Sequence, residues 1–195
     1  DYKPVKTTVA QADPQDVLAA SRALLAAKQP IIYAGQGVLY ADASEQLLEL
    51  AELLEVPVMT TLAGKSAFPE KHPLALGSGS GVVSGTVYEF LKEADLVLGI
   101  GTSFTKHGLA TTIPPGKVLV HATNDPTAIG RYYQVDYPII GDARLVLRQF
   151  IEACQEVLGD KPRPQRGAVA ERVASHVAAV AGEEFEPNGV LSFFQ

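Results

Sequence analysis

Short apolar runs alternate with longer stretches of helical spacing along most of the chain. Pro30-Ile31-Ile32-Tyr33-Ala34, Val56-Pro57-Val58-Met59-Thr60, Leu96-Val97-Leu98-Gly99-Ile100, Val118 to Ala122 and Tyr137 to Ile140 are compact and rich in β-branched and aliphatic residues. That is the pattern of strands buried on both faces. Each run gives way to small polar residues or glycine: Gly35-Gln36-Gly37, Thr60-Thr61, Gly101-Thr102-Ser103, Thr123-Asn124-Asp125 and Gly141-Asp142. Leu74-Ala75-Leu76 supplies a sixth, shorter strand.

Helices are predicted between the strands. Asp13 reads as an N-cap with Pro14 at the first helical position, where its missing N–H costs nothing, and Val17, Leu18, Ser21, Leu24 and Leu25 form one face. Asp42, with Glu45 three residues on, predicts a second capped start, continued by Leu47, Leu48, Ala51 and Leu54. A helix running through Leu91 follows the Gly/Ser-rich passage from Gly77 to Gly85. Asp142 predicts the cap of a last core helix carrying Leu145, Leu147, Phe150, Ile151 and Cys154. Strands alternating with helices imply right-handed crossovers and a parallel sheet covered on both sides. Ligands of such sheets bind beyond the carboxyl ends of the strands, which directs attention to the five strand-end loops.

The pattern divides the chain into an N-terminal linker (1–12), a core domain (13–158) and a remainder (159–195). From Gly159 to Gly167 the composition turns to Lys, Arg, Pro and Gln; Ala168 to Val180 regains helical spacing, and Glu183-Glu184-Phe185-Glu186-Pro187 breaks it. The start at Asp1 and the apolar end Leu191-Ser192-Phe193-Phe194-Gln195 read as cuts through a longer protein.

Composition narrows the function classes. The chain has 195 residues, 47% of them hydrophobic and 19% charged, enough for a substantial core. A net charge of -6 without a Lys/Arg cluster argues against a nucleic-acid partner. No apolar run reaches the roughly 18 residues of a membrane-spanning helix, so no membrane role is expected. One cysteine, Cys154, on an apolar helix face fits a cytoplasmic setting.

Four passages imitate phosphate loops without completing one. In Gly35-Gln36-Gly37 and Gly99-Ile100-Gly101 the third glycine of a dinucleotide fingerprint falls on Tyr40 and Phe104; Gly64-Lys65-Ser66 lacks the leading glycine of a P-loop, which falls on Met59. The run Gly77, Gly79, Gly81, Gly85 matches no known cradle. Glycine after a strand also serves tight turns whether or not anything binds. If a nucleotide binds, backbone N–H groups of Gly35 to Gly37 and Gly101 to Ser103 are the expected phosphate donors, with Thr123 and Asp125 near a ribose. Lys65 beside Thr61 reads as a solvated loop lysine rather than a phosphate contact. His72, His107, His121 and His176 lack partners at metal-ligand spacing and read as surface or capping residues. Ser84 and Ser103 lack a nucleophile elbow, so no catalytic residue and no metal ligand is expected.

Taken in order, five passages resemble the central domain of thiamine diphosphate-dependent enzymes of the acetolactate synthase, pyruvate oxidase and benzoylformate decarboxylase class. They are Ala26 to Gly37, Val56 to Lys65, His72 to Gly77, Ala94 to Gly101, and Asp125-Pro126 with Ile140-Gly141-Asp142-Ala143. The resemblance covers roughly positions 13 to 158. It implies an α/β, three-layer Rossmann-like fold of the NAD/FAD-binding kind with a six-stranded parallel sheet. It further implies that the chain lies between pyrimidine- and diphosphate-binding domains, the second beginning near Pro187, in a homodimer or homotetramer. Thiamine diphosphate and Mg²⁺ would be held by those domains. Gly141-Asp142-Ala143 and Gly159-Asp160-Lys161 lack the third glycine of the magnesium motif, and Asn124 and Asn188 are out of position. The domain alone is therefore expected to be inactive, and the whole enzyme to cleave or form a C–C bond of a 2-keto acid or acyl substrate.

Some relatives bind FAD or ADP in this domain, which makes Gly35, Gln36, Gly37, Thr61, Gly64, Gly101, Thr102, Ser103, Thr123 and Asp142 the candidate cofactor contacts. Flavin-type relatives carry Arg and Asp where this chain has Ser103 and Thr105, and a further Arg at His107; an acidic ribose contact is replaced by Thr123. Without arginine a diphosphate depends on neutral donors. The expectation is a vestigial or adenine-nucleotide site. The competing readings are a stand-alone nucleotide-binding module and a structural domain that holds an oligomer together through an apolar face.

Overall fold

A computed structural model describes residues 9–79, 85–106, 111–161 and 168–182. Ser80, Gly81, Ser84, His107, Glu183 to Pro187 and the stretch Pro187 to Gln195 lie outside the described residues. Six strands form one sheet: β1 (Pro30–Ala34), β2 (Val58–Thr61), β3 (Ala75–Gly79), β4 (Leu96–Ile100), β5 (Val118–Thr123) and β6 (Tyr137–Ile140). Their order is β3-β2-β1-β4-β5-β6, and every pairing is parallel. β1 and β4, at the centre, are buried along their whole length, which is why they read as unbroken apolar runs. They align residue for residue, Pro30 beside Leu96 through Ala34 beside Ile100.

The helices are α1 (Pro14–Ala26), α2 (Gln36–Tyr40), α3 (Ser44–Leu54), α4 (Gly85–Glu93), α5 (Ala143–Leu158) and α6 (Val169–Gly182). α1, α3 and α5 pack together on one side of the sheet, and α4 packs with α6, completing the three layers. The caps at Asp13 and Asp142 form as their sequences require: Asp13 accepts the N–H of Gln15 at 2.8 Å, and Asp142 those of Arg144 and Leu145 at 3.0 and 3.3 Å. Asp42 does not cap. It takes a left-handed conformation (φ 50°) after the short α2, whose presence shifts the next helix to Ser44, and it pairs with Arg144 at 2.7 Å.

Polar ties close the periphery. The Asp95 carboxylate accepts the N–H groups of Lys28 and Gln29 at 2.7 and 3.0 Å, fixing the entry to β1 against the entry to β4. Ala12 and Gln149 exchange two hydrogen bonds of 3.0 Å, fastening the segment before α1 onto α5. In α6, Val169 and Val173 join the core and Arg172 pairs with Glu93 at 2.6 Å. Phe150 on α5 is among the largest fully buried side chains. Phe150→Ala is expected to lower the unfolding free energy by about 3–5 kcal/mol, through lost transfer energy and the cavity left behind, measurable by urea titration.

Candidate functional site

The order of strands reverses between β1 and β4, the place where an open parallel sheet leaves a crevice. Here the two strand-end loops touch. Gly35 donates its N–H to Ile100 at 2.9 Å, Gly37 to Gly101 at 2.8 Å, and Gly101 to Ala122 at 2.9 Å. A Cβ on Gly35 would run into the Gly101 carbonyl and Thr102, so glycine is required there by backbone against backbone. Gly101 itself needs φ +61°.

Above this junction opens a cleft of about 620 Å³, within the range of ligand sites. Of the residues singled out from sequence, Gly35, Gln36, Gly37, Thr61, Gly101, Thr102, Ser103 and Thr123 line it, and so does Asp125. Gly64 and Asp142 do not. Gly64 lies against the Ala34 carbonyl with its N–H on the Thr61 hydroxyl at 2.9 Å, and Asp142 is occupied as the cap of α5. Lys65 stays exposed, 3.7 Å from Glu70.

The aromatic part of the lining, Tyr33, Phe104 and Tyr133 together with the exposed Tyr40, was not picked out from sequence as a site. Phe104 adopts φ 48°, a conformation that costs an L-residue of order 1 kcal/mol or more, and this turns its ring onto Gly99, where a Cβ would overlap it. The ring lies 6.1 Å from both Tyr33 and Tyr133 and 4.5 Å from His121. Burial pushes the Tyr33 phenol up from its usual 10.0, with the nearby Thr111 hydroxyl opposing. Thr111 lines the cleft and is 7% exposed, with its hydroxyl beside the Tyr33 phenol.

His121 is neither a surface nor a capping residue. It is fully buried in β5 beneath the cleft, and its Nε2–H donates to the Thr102 carbonyl at 2.8 Å. Nδ1 therefore carries a bare lone pair, unpartnered among the described residues. Burial holds the imidazole below its ordinary 6.5, the Thr102 bond opposing. His72 and His176 behave differently: His72 accepts the Leu74 N–H at 3.2 Å and faces Glu52, and His176 stands edge-on to Phe90.

Charge in the cleft is scarce. Asp125 is the one charged side chain of the lining among the described residues, and hydrogen bonds from the Thr127 hydroxyl (2.6 Å) and N–H (2.9 Å) hold its carboxyl below the usual carboxylate range. No lysine or arginine lines the cleft among the described residues. The five-residue α2 is too short to add a helix dipole of weight. A diphosphate finds little here to neutralise it, whereas a flat ring and hydroxyl groups find aromatic faces and Thr and Ser side chains. No group of three or more His, Cys, Asp or Glu side chains able to hold a metal occurs among the described residues. The residues at hand thus do not fit thiamine diphosphate with its Mg²⁺, and they fit the ring end of FAD or ADP better than the phosphate end.

Two outcomes follow from this geometry. Gly35→Ala is expected to destabilise the fold by about 1–3 kcal/mol with or without any nucleotide, because the added methyl meets backbone, as read by denaturant midpoint. For His121, the unfolded chain binds the proton more readily than the folded one. Stability should be complete above pH 6.5 and fall as the pH drops below it, by at most about 1.4 kcal/mol per pH unit. His121→Gln, which keeps a donor toward Thr102, should flatten the thermal-stability profile over that window.

Comparison with known proteins agrees with the geometry. Residues 17–150 match the family described as thiamine pyrophosphate enzyme, central domain. A probable acetolactate synthase large subunit of Methanocaldococcus jannaschii is 41% identical over 113 residues, 57% of this chain and 19% of that protein. The acetolactate synthase large subunit of Corynebacterium glutamicum is 40% identical over 116 residues, 57% of this chain and 18% of that protein. The crystal structure of benzoylformate decarboxylase from Polynucleobacter necessarius superposes with a TM-score of 0.65 at 25% identity, covering 78% of this chain and 29% of that one. The chain thus spans about a fifth of the length of the curated relatives it matches. With its sheet order, its strand-end cleft and the match over residues 17–150, the chain belongs to the family of thiamine pyrophosphate enzyme central domains.

Proposed function

We propose that this chain is the non-catalytic middle of a thiamine diphosphate- and Mg²⁺-requiring enzyme that cleaves or forms a C–C bond of a 2-keto acid or acyl substrate. The observation that carries the reading is the family match over residues 17–150, joined to the sheet order of the fold. Its work is then mechanical. The rigid sheet spaces a pyrimidine-binding domain before it and a diphosphate-binding domain after it, and α6, fastened through Val169, Val173 and the Arg172–Glu93 pair, orients the chain leaving toward the second. The cofactor, when bound by those domains, supplies a carbanion equivalent that adds to the substrate carbonyl. Homodimeric or homotetrameric assembly and a cytoplasmic location complete the proposal.

The strand-end cleft is the second part of the reading: an adenine-type ligand site formed by Gly35 to Gly37, Thr61, Gly101 to Ser103 and Thr123. A stand-alone nucleotide module is the less favoured alternative, since the relatives extend far beyond this chain on either measure of coverage.

The test is turnover by the full-length protein carrying this chain. After chelation and dialysis, a panel of 2-keto acids is supplied with and without thiamine diphosphate and Mg²⁺. Carbon dioxide release or carboligation that appears only with both is the expected result, with no turnover by the 195-residue chain alone. Undiminished turnover in the stripped protein would overturn the proposal.

A further inference from the structure

Exposed apolar side chains gather at one edge of the sheet. Among the described residues eight large hydrophobic side chains are exposed, and five of them, Val9, Leu39, Tyr40, Leu62 and Ile140, stand at the carboxyl ends of the strands. Val118 alone marks the amino ends. Tyr40 is 80% exposed and Leu62 60%. Their loops are neighbours: a Cβ on Gly64 would meet Gly35, which leads into α2, and Tyr40 and Leu62 both stand at the cleft. Neither Gly35 to Ala41 nor Thr60 to Gly64 contains a charged residue. Exposed apolar residues scattered singly are ordinary; grouped on an uncharged surface they mark a contact.

The path of the chain into the domain leads to this same edge. Gln149 holds Ala12 through two hydrogen bonds of 3.0 Å, and Asp142 donates its N–H to the Ala10 carbonyl at 2.9 Å. Going back from Ala12 to Ala10 therefore follows α5 from Gln149 to its N-cap, a rise of about 10 Å at 1.5 Å per residue, up to the carboxyl end of β6. Gly141 makes room for the strap, since a Cβ there would come within 3.0 Å of the Ala12 nitrogen and 3.1 Å of the Ala10 oxygen. Val9 is thus delivered to the carboxyl edge, and it is 59% exposed. α2 belongs to this side of the sheet: Arg144 of α5 donates its Nε–H to the Ala41 carbonyl at 2.8 Å and pairs with Asp42. α6 lies with α4, its Arg172 on Glu93 and its His176 on Phe90, so the chain that follows it leaves from the other side.

We infer that Leu39, Tyr40 and Leu62 form the seat on which the domain preceding this one in the same polypeptide docks, through an apolar surface of its own. The inference rests on the proposed placement of the chain between two domains, which the family's description as a central domain supports. Tyr40 suits the anchor of such a contact, a large ring with a polar tip that stays at the rim. The strap has a part in it: fastening Ala10 and Ala12 shortens the free tether between the two domains, which raises the effective concentration of the docking surface at its seat.

The test uses the full-length protein carrying this chain, dialysed free of small ligands. Tyr40→Cys, Leu62→Cys and, at the amino edge, Lys28→Cys are made singly at exposed positions, and maleimide labelling of each is followed by peptide mass spectrometry. Cysteine at 40 and 62 is expected to label about tenfold or more slowly than cysteine at 28, because a seated domain covers it. Equal rates overturn the inference. A short cross-linker carried by the cysteine of Leu62→Cys then identifies the cover, in protein assembled from light and heavy isotopic chains. Capture of a peptide from the preceding domain of the same molecule is expected; capture only from the following domain or from a second copy, or no capture, overturns the inference. None of these results bears on thiamine dependence, which turnover tests separately, so the two proposals fail independently.

Discussion

The contact on which the rest of the structure depends is the backbone junction between Gly35-Gln36-Gly37 and Gly101-Thr102. Two central strands run side by side in register, and the chain leaves them in opposite directions along the sheet. A side chain on Gly35 would wedge the two loops apart at this reversal. With hydrogen there, the N–H groups of Gly35 and Gly37 find carbonyl partners across the junction and that of Gly101 finds one on β5, so no donor of that set is orphaned. The glycines that look like a fragment of a nucleotide fingerprint have a structural occupation of their own.

That occupation decides what the cleft can be. In a phosphate cradle, glycine brings N–H groups toward the ligand; here it brings one loop toward the other, and the N–H groups point into the protein. The Thr102 carbonyl in turn accepts the proton of buried His121, whose ring backs Phe104, so the cleft floor and the strand junction share a support. Changes to either are felt by both. An imidazole held neutral in the core also makes this support sensitive to acid.

The parallel architecture was legible because buried strands read as near-continuous apolar runs, as β1 and β4 do throughout and β5 does apart from His121 and Thr123. Asp13-Pro14 and Asp142 were legible as caps because a carboxylate before a helix satisfies local N–H groups irrespective of tertiary context. Asp42 misled for the same reason: its spacing to Glu45 suits a capping box, but the single-turn helix ahead of it consumes the residues the cap would need. The sixth strand was legible only in part, since Ala75–Gly79 continues through the Gly/Ser-rich passage, where side-chain patterning is nearly absent. The aromatic floor had no local signature. Tyr33, Phe104 and Tyr133 come from three separate segments, and nothing short of the folded sheet brings them together.

A crevice at the strand-order reversal is a geometric by-product: crossovers departing to opposite sides leave a gap whether or not a ligand uses it. Fold alone therefore cannot convert the gap into a site. What distinguishes this one is that it is shaped at some cost. Phe104 holds a left-handed backbone, and Tyr33 and Thr111 are buried with their hydroxyls, each less favourable than simple closure by aliphatic side chains. A surface that served spacing alone would gain stability by filling the gap with leucine or valine, as the core does a few ångströms below. Rings, hydroxyls and the Asp125 carboxylate line the cleft of about 620 Å³ instead, at a cost that closure by aliphatic side chains would not carry.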